Sequence, residues 1–166
     1  LKSDWHKARV NYANLLHRLD RHRDAGRIYR EAAEFFGKAG DLIAAARCEY
    51  NTANTLVQLF EIDDADRSYG RARQIYEQEG FDLDACNVRY GQAWLRMLKG
   101  ELHVAMLELG ECAKTYREAG ARRGEALCNL DLAEVALGLG LFSDALDSAR
   151  RADQELEHDG RAEAPD

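Results

Sequence analysis

Two polar stripes carry the residues best equipped for chemistry. Lys7, Asn11, Asn14 and Arg18 are spaced 4-3-4, and Arg47, Asn51, Asn54 and Gln58 repeat that spacing 40 residues later. Such spacing places each set on one face of an α-helix. A carboxamide donates and accepts at once, so paired asparagine columns suit the backbone of an extended peptide. Lys7 and Arg47 beside them suit a carboxylate or another acidic group. Further along, the same columns read Asn87, Gly91, Trp94, Leu98 and then Leu127, Asp131, Glu134, Gly138. Their character runs from polar-basic through aromatic to acidic. Tyr50, Tyr90 and Trp94 are candidate anchors, because aromatic side chains often carry binding energy. The competing use of the asparagines is to satisfy neighbouring helices, and that of Tyr50 and Tyr90 is to fill a core.

Catalytic signatures are absent. The chain has no GxSxG, Walker loop, HExxH or dinucleotide fingerprint. His17 and His22 are five apart, off the i,i+4 spacing of a helical metal pair, with a turn expected between them. These two, with His6, His103 and His158, are expected to be surface histidines. Cys48, Cys86, Cys112 and Cys128 form no CxxC pair, and their columns otherwise hold mainly small or apolar residues. Cysteine packs there as a small hydrophobe. We expect no catalytic residue, no metal and no cofactor.

The elements that position these residues follow from a repeat. Stacked without gaps, units 1–40, 41–80, 81–120 and 121–160 align Ala13, Ala53, Ala93 and Ala133, then Ala25, Ala65, Ala105 and Ala145. Gly40, Gly80, Gly120 and Gly160 close the units. Small residues in register let helices approach closely. In the second half of each unit the stripe Ala25, Tyr29, Ala32, Phe36 and its equivalents marks one helical face. In the first half the stripe is Val10, Ala13, His17, ending with Leu130, Ala133, Leu137 in unit four. Each unit is thus two helices, giving predicted helices near 2–19, 23–38, 41–59, 63–79, 82–99, 102–118, 121–139 and 143–158. Asp63 or Asp64 and Ser143 are expected caps, with Ile62, Leu102 and Phe142 as staples before them. The unit-ending glycines suit a left-handed position after a helix.

Composition narrows the class. Of 166 residues 46% are hydrophobic and 32% charged, which excludes a disordered chain. The single proline is Pro165, as a helical array allows. No apolar run approaches a membrane span and no secretory signal is present, so no membrane partner is expected. The unpaired cysteines point to a reducing, cytoplasmic compartment. Net charge is −7, yet residues 1–40 carry nine basic and five acidic groups and residues 121–160 carry four and nine. A basic excess confined to one quarter argues against nucleic acid.

The alanine columns, with an aromatic four residues after the second of them (Ala53, Ala65, Tyr69, Ala72), resemble the tetratricopeptide repeat (TPR) family over residues 1–160. The family's unit is 34 residues against 40 here, and its early Trp and terminal Pro are missing. The 40-residue variety resembles arrays in large bacterial regulatory proteins, including ATP-dependent transcription activators and caspase-like proteases. The resemblance implies an all-α solenoid of four helix-turn-helix repeats wound as a right-handed superhelix, with the first helices lining a concave groove. It implies a non-enzymatic scaffold binding a protein or peptide partner there. The alternative is a regulatory or sensor segment of a larger protease, ATPase or transcription regulator. Asn14 and Asn51 also match the asparagines of the carboxylate clamp of co-chaperone TPR domains. The clamp's basic positions read Val10, Asn87 and Gly91, so no chaperone-tail binding is expected.

At the ends, the last helix carries Asp147, Arg150, Arg151, Asp153 and Glu157 and is expected to cap the array, followed by a disordered tail 161–166. Trp5 either covers the first interface or packs on a preceding unit, and the second option predicts a homodimer through the N-terminal edge. Starting at Leu1 rather than Met, the chain is expected to be a fragment or a processed product.

Overall fold

A computed structural model describes residues 2–162, and the side chains of residues 2–156. The described residues form helices only: α1 (Lys2–Arg18), α2 (His22–Lys38), α3 (Leu42–Gln58), α4 (Ile62–Gln78), α5 (Asp82–Leu98), α6 (Leu102–Glu118), α7 (Arg122–Gly138) and α8 (Phe142–Ala162). The first seven helices are each 17 residues long. The α8 helix runs through Gly160 to Ala162, so Gly160 does not stop it and helix covers the first two residues of the expected tail. Residues 163–166 of that tail lie outside the described residues.

Backbone geometry halves the period. Asp20, Gly40, Phe60, Gly80, Gly100, Gly120 and Gly140 all have φ between 57° and 79°. Around each, the amide of the following residue reaches back to the carbonyl five residues earlier, as from Arg21 to Leu16 (2.9 Å) and from Ala121 to Tyr116 (2.8 Å). This is the Schellman ending, which satisfies carbonyls that a helix terminus would otherwise orphan. The 40-residue unit is therefore two 20-residue steps closed in the same way. Glycine fits the left-handed position without strain. Asp20 and Phe60 occupy it with a Cβ.

The helix starts differ from expectation. Asp63, Asp64 and Ser143 lie inside the first turns of α4 and α8, and Ile62, Leu102 and Phe142 are first helical residues rather than preceding staples. Among the cap positions described, only Asp41 caps with its side chain, accepting from the Ala44 amide at 3.1 Å. Seven tight reversals set these starts, so strong caps are dispensable.

The chain divides into two compact units, Leu1–Val88 and Arg89–Asp166. In the first, consecutive helices pack pairwise. Ala13, Leu16, Ala25, Ile28 and Tyr29 join α1 to α2, and Ala32, Ala33, Phe36, Ala45 and Cys48 join α2 to α3. Gly26 permits the close approach of α2 to α3, since a Cβ there would sit 2.8 Å from Thr55 Oγ1. In the second unit, Ala93, Ala105, Leu109 and Val135 form the core that joins α5, α6 and α7. The predicted second-helix faces of the first three repeats are buried throughout. The predicted stripe on α7 is not: Leu130 and Leu137 are exposed, and the buried face of α7 instead includes Ala126, Cys128, Val135 and Ala136. On α8, Asp147, Arg150, Arg151 and Asp153 are exposed as expected, and Phe142, Leu146 and Leu156 are exposed as well.

Candidate functional site

The two polar stripes of the first unit meet across α1 and α3. Lys7, Asn11 and Asn14 from α1 and Arg47 and Asn51 from α3 line a cavity of about 370 Å³. Its apolar lining is Val10, Phe36, Ala44 and Cys48. The equal spacing of the columns brings this about, because residues 40 apart occupy the same face of neighbouring first helices. Neither Lys7 nor Arg47 pairs with a carboxylate among the described residues. Arg47 lies beside Tyr76, whose phenol burial pushes up to about 12, Asp84 adding to the rise and Arg47 partly offsetting it. The cavity thus offers two uncompensated cations, three carboxamides and an apolar floor. That combination suits an anionic group attached to an extended chain.

The asparagines divide into two kinds. Tyr29 donates its hydroxyl to Asn14 Oδ1, and Tyr69 donates to Asn54 Oδ1, both at 2.6 Å. The tyrosines are buried, and burial raises both phenol pKa values. The same bond in two successive repeats ties the second helix to the first. Asn11 and Asn51 have no such partner among the described residues and remain available to a ligand. The tyrosine column, already visible in the repeat, was the signal that separates the two kinds.

The other predicted residues sit as follows. Tyr50 packs against Tyr69 at 5.8 Å between centroids, and with Asn54 it lies outside the cavity lining. Tyr90 and Trp94 belong to the second unit. Tyr90 donates to Asp131 Oδ2 at 2.7 Å, and burial holds that carboxyl above its ordinary range although the bond from Tyr90 opposes the shift. Trp94 is partly exposed.

His17 and His22 come together despite their spacing. Their Nδ1 atoms are 3.2 Å apart across the first reversal, and His22 Nε2 lies 3.6 Å from Asp20 Oδ1. The i+5 spacing suits a Schellman reversal rather than a helix face. Among the described residues no group of three or more His, Cys, Asp or Glu is arranged to hold a metal ion. The four cysteines are buried and form no disulfide with one another, and burial pushes the Cys48 thiol up to about 12, away from nucleophilic use. No described helix is long and apolar enough to cross a membrane.

No protein-family model and no curated protein matches the chain. Solved structures do share its fold. Aspartyl phosphate phosphatase F from Bacillus subtilis matches with a TM-score of 0.90 at 12% identity, covering 96% of this chain and 42% of that one. The Rap conjugation gene regulator of plasmid pLS20, solved in complex with the Phr* peptide, matches at 0.82 and 16%, covering 96% and 44%. BtubC from P. vanneervenii matches at 0.83 and 16%, covering 97% and 66%. These likenesses establish an all-α helical-repeat fold of the kind found in Rap proteins. The chain spans less than two thirds of the length of each of these structures.

Proposed function

We propose that this chain is a non-enzymatic interaction scaffold of the TPR type that holds an extended acidic peptide, free or as part of a protein, in the groove between α1 and α3. The observation that carries this reading is the pair of cations, Lys7 and Arg47, left without carboxylate partners around an apolar-floored cavity that also presents Asn11 and Asn51. Two structures sharing the fold, solved with the Phr* peptide and with Competence and Sporulation Factor, support peptide as the ligand class.

The test is an array of short peptides, acidic ones with free C-terminal carboxylates against neutral amidated analogues. Acidic peptides should be retained by the native chain. Lys7→Glu with Arg47→Glu should weaken that retention by roughly tenfold or more, and Asn11→Ala with Asn51→Ala should weaken it for both charge classes. Equal retention of acidic and neutral peptides, or native affinity in both double variants, overturns the reading. Asn14 and Asn54 are poor probes, because replacing them strands buried tyrosine hydroxyls.

A second reading has its own observation: the chain spans only part of the structures it matches, one of them named a phosphatase. In that reading it is the sensing segment of a longer regulator or enzyme. The complete reading frame of its gene distinguishes the two.

A further inference from the structure

The first reversal differs chemically from its counterparts in the later repeats. His17 stands in the last turn of α1 and His22 opens α2. Forty, eighty and 120 residues on, the same two columns hold Val57 and Ile62, Met97 and Leu102, and Leu137 and Phe142. All six are apolar, and Met97 and Leu102 pack against one core cluster. The repeat therefore needs only apolar side chains at this meeting of helix end and helix start. Two imidazoles there add donor chemistry that packing does not require.

Their geometry suits one ion. The two Nδ1 atoms are 3.2 Å apart. Nitrogens at that separation, each about 2.0–2.1 Å from a shared zinc, subtend about 100–106° at the metal, close to a tetrahedral angle. Both rings are partly exposed, so an ion can reach them. Asp20 supplies the next layer. It occupies a left-handed position (φ 57°) that glycine fills at five of the seven reversals, and its Oδ1 lies 3.6 Å from His22 Nε2. A carboxylate on that side favours a proton on Nε2 and leaves the Nδ1 lone pair free, as around ligating histidines in general. Arg21, within the same reversal, is paired with Asp24 at 2.6 Å and adds little uncompensated positive charge.

We propose that His17 and His22 form a zinc site that clasps the end of α1 to the start of α2, with Asp20 as the positioning residue. Each ring ligates through Nδ1. The pair supplies half of a tetrahedral shell, and water takes the other two places. Without metal, one Nδ1 carries the proton of the ring-to-ring contact. On binding, two Zn–N bonds form, that proton leaves to solvent, and Nε2 of the same ring takes one up. Both imidazoles stay neutral.

Zinc titration of the untagged 166-residue chain near neutral pH tests this. Calorimetry should show one ion per chain, and excess zinc should raise the unfolding midpoint by several degrees. Nitrogen-15 spectra of the histidines should place the ion on Nδ1 of two rings. His17→Gln and His22→Gln should each weaken uptake by about tenfold or more, and Asp20→Asn by about tenfold, the usual effect of losing an outer-layer carboxylate. The double variant His17→Val with His22→Ile writes the second repeat's pair into the first. It should keep native helicity by circular dichroism and take up no zinc. A native chain without saturable uptake overturns the proposal. So does uptake that survives in the double variant or in both glutamine variants, since the ion then sits elsewhere, and so does coordination through Nε2. Native affinity in Asp20→Asn overturns the role given to that carboxylate.

Discussion

At the residue scale, identical side chains a repeat apart do different work according to what stands behind them. Asn14 and Asn54 are held by Tyr29 and Tyr69, while Asn11 and Asn51 face the cavity. Tyr29→Phe and Tyr69→Phe should each lower unfolding free energy by about 1 kcal/mol, the usual net worth of a partly buried hydrogen bond, as read by denaturant titration. The pair Arg9–Glu31 (2.5 Å) returns with its charges exchanged as Glu49–Arg71 (2.8 Å), at the same separation of 22 residues. In the fourth repeat that first position is Asn129, whose buried Nδ2 has no partner. Two histidines make stability depend on pH. Burial holds His17 below its ordinary value of 6.5, His22 beside it adding to the effect and Asp20 opposing it; burial also lowers His6, with Arg9 adding and Glu31 opposing. The unfolded chain then binds protons more readily at these rings. Their full stability is present above 6.5 and is lost as pH falls through the interval down to the folded-state values. The unfolding midpoint should therefore drop between about pH 7 and pH 5, and His17→Leu should reduce the drop. Asp131, raised by burial, acts in the opposite direction in a more acidic range, its contribution being lost as pH rises through its folded value.

At the element scale, the reversal every 20 residues decides where helices end. Glycine marks five of the seven left-handed positions, and Asp20 and Phe60 take the other two at φ of 57° and 59°. A side chain in that region costs about 1 kcal/mol or more, and Phe60 is 81% exposed, so it recovers little by packing. Phe60→Gly should raise the melting temperature by several degrees, since relief of about 1 kcal/mol is offset only in part by the greater freedom of glycine when unfolded. A midpoint that falls instead would show that the ring makes a contact worth more than the strain. The helix stripes were legible because a 4-3-4 spacing of small and aromatic residues has one helical interpretation. The caps were not. Asp63 and Ser143 have suitable chemistry, but the Schellman geometry starts each helix two residues after the left-handed position, which leaves them inside the first turn.

At the scale of the whole molecule, contacts between consecutive helices dominate, so damage should stay local. A Cβ on Gly124 would lie 2.7 Å from the buried Tyr116 ring, where α7 begins against α6. Gly124→Ala should cost about 1–3 kcal/mol by overpacking. Hydrogen exchange should show lost protection in α6 to α8 and native protection in α1 to α3. Equal loss in both compact units would mean that the chain unfolds as one cooperative block.

The sequence by itself determined eight helices, their pairing into repeats and the polar columns, because periodicity and side-chain size depend only on order along the chain. It also placed Lys7, Asn11, Arg47 and Asn51 in one stripe system. Which asparagines are occupied, which leucines are covered and which histidines touch depends on what lies opposite each face. The sequence assigns Leu130 and Leu137 to the same columns as Val10 and His17, yet only a neighbouring helix decides whether such a column is core or surface. Burial is a property of packed neighbours, and those exist only in the tertiary structure.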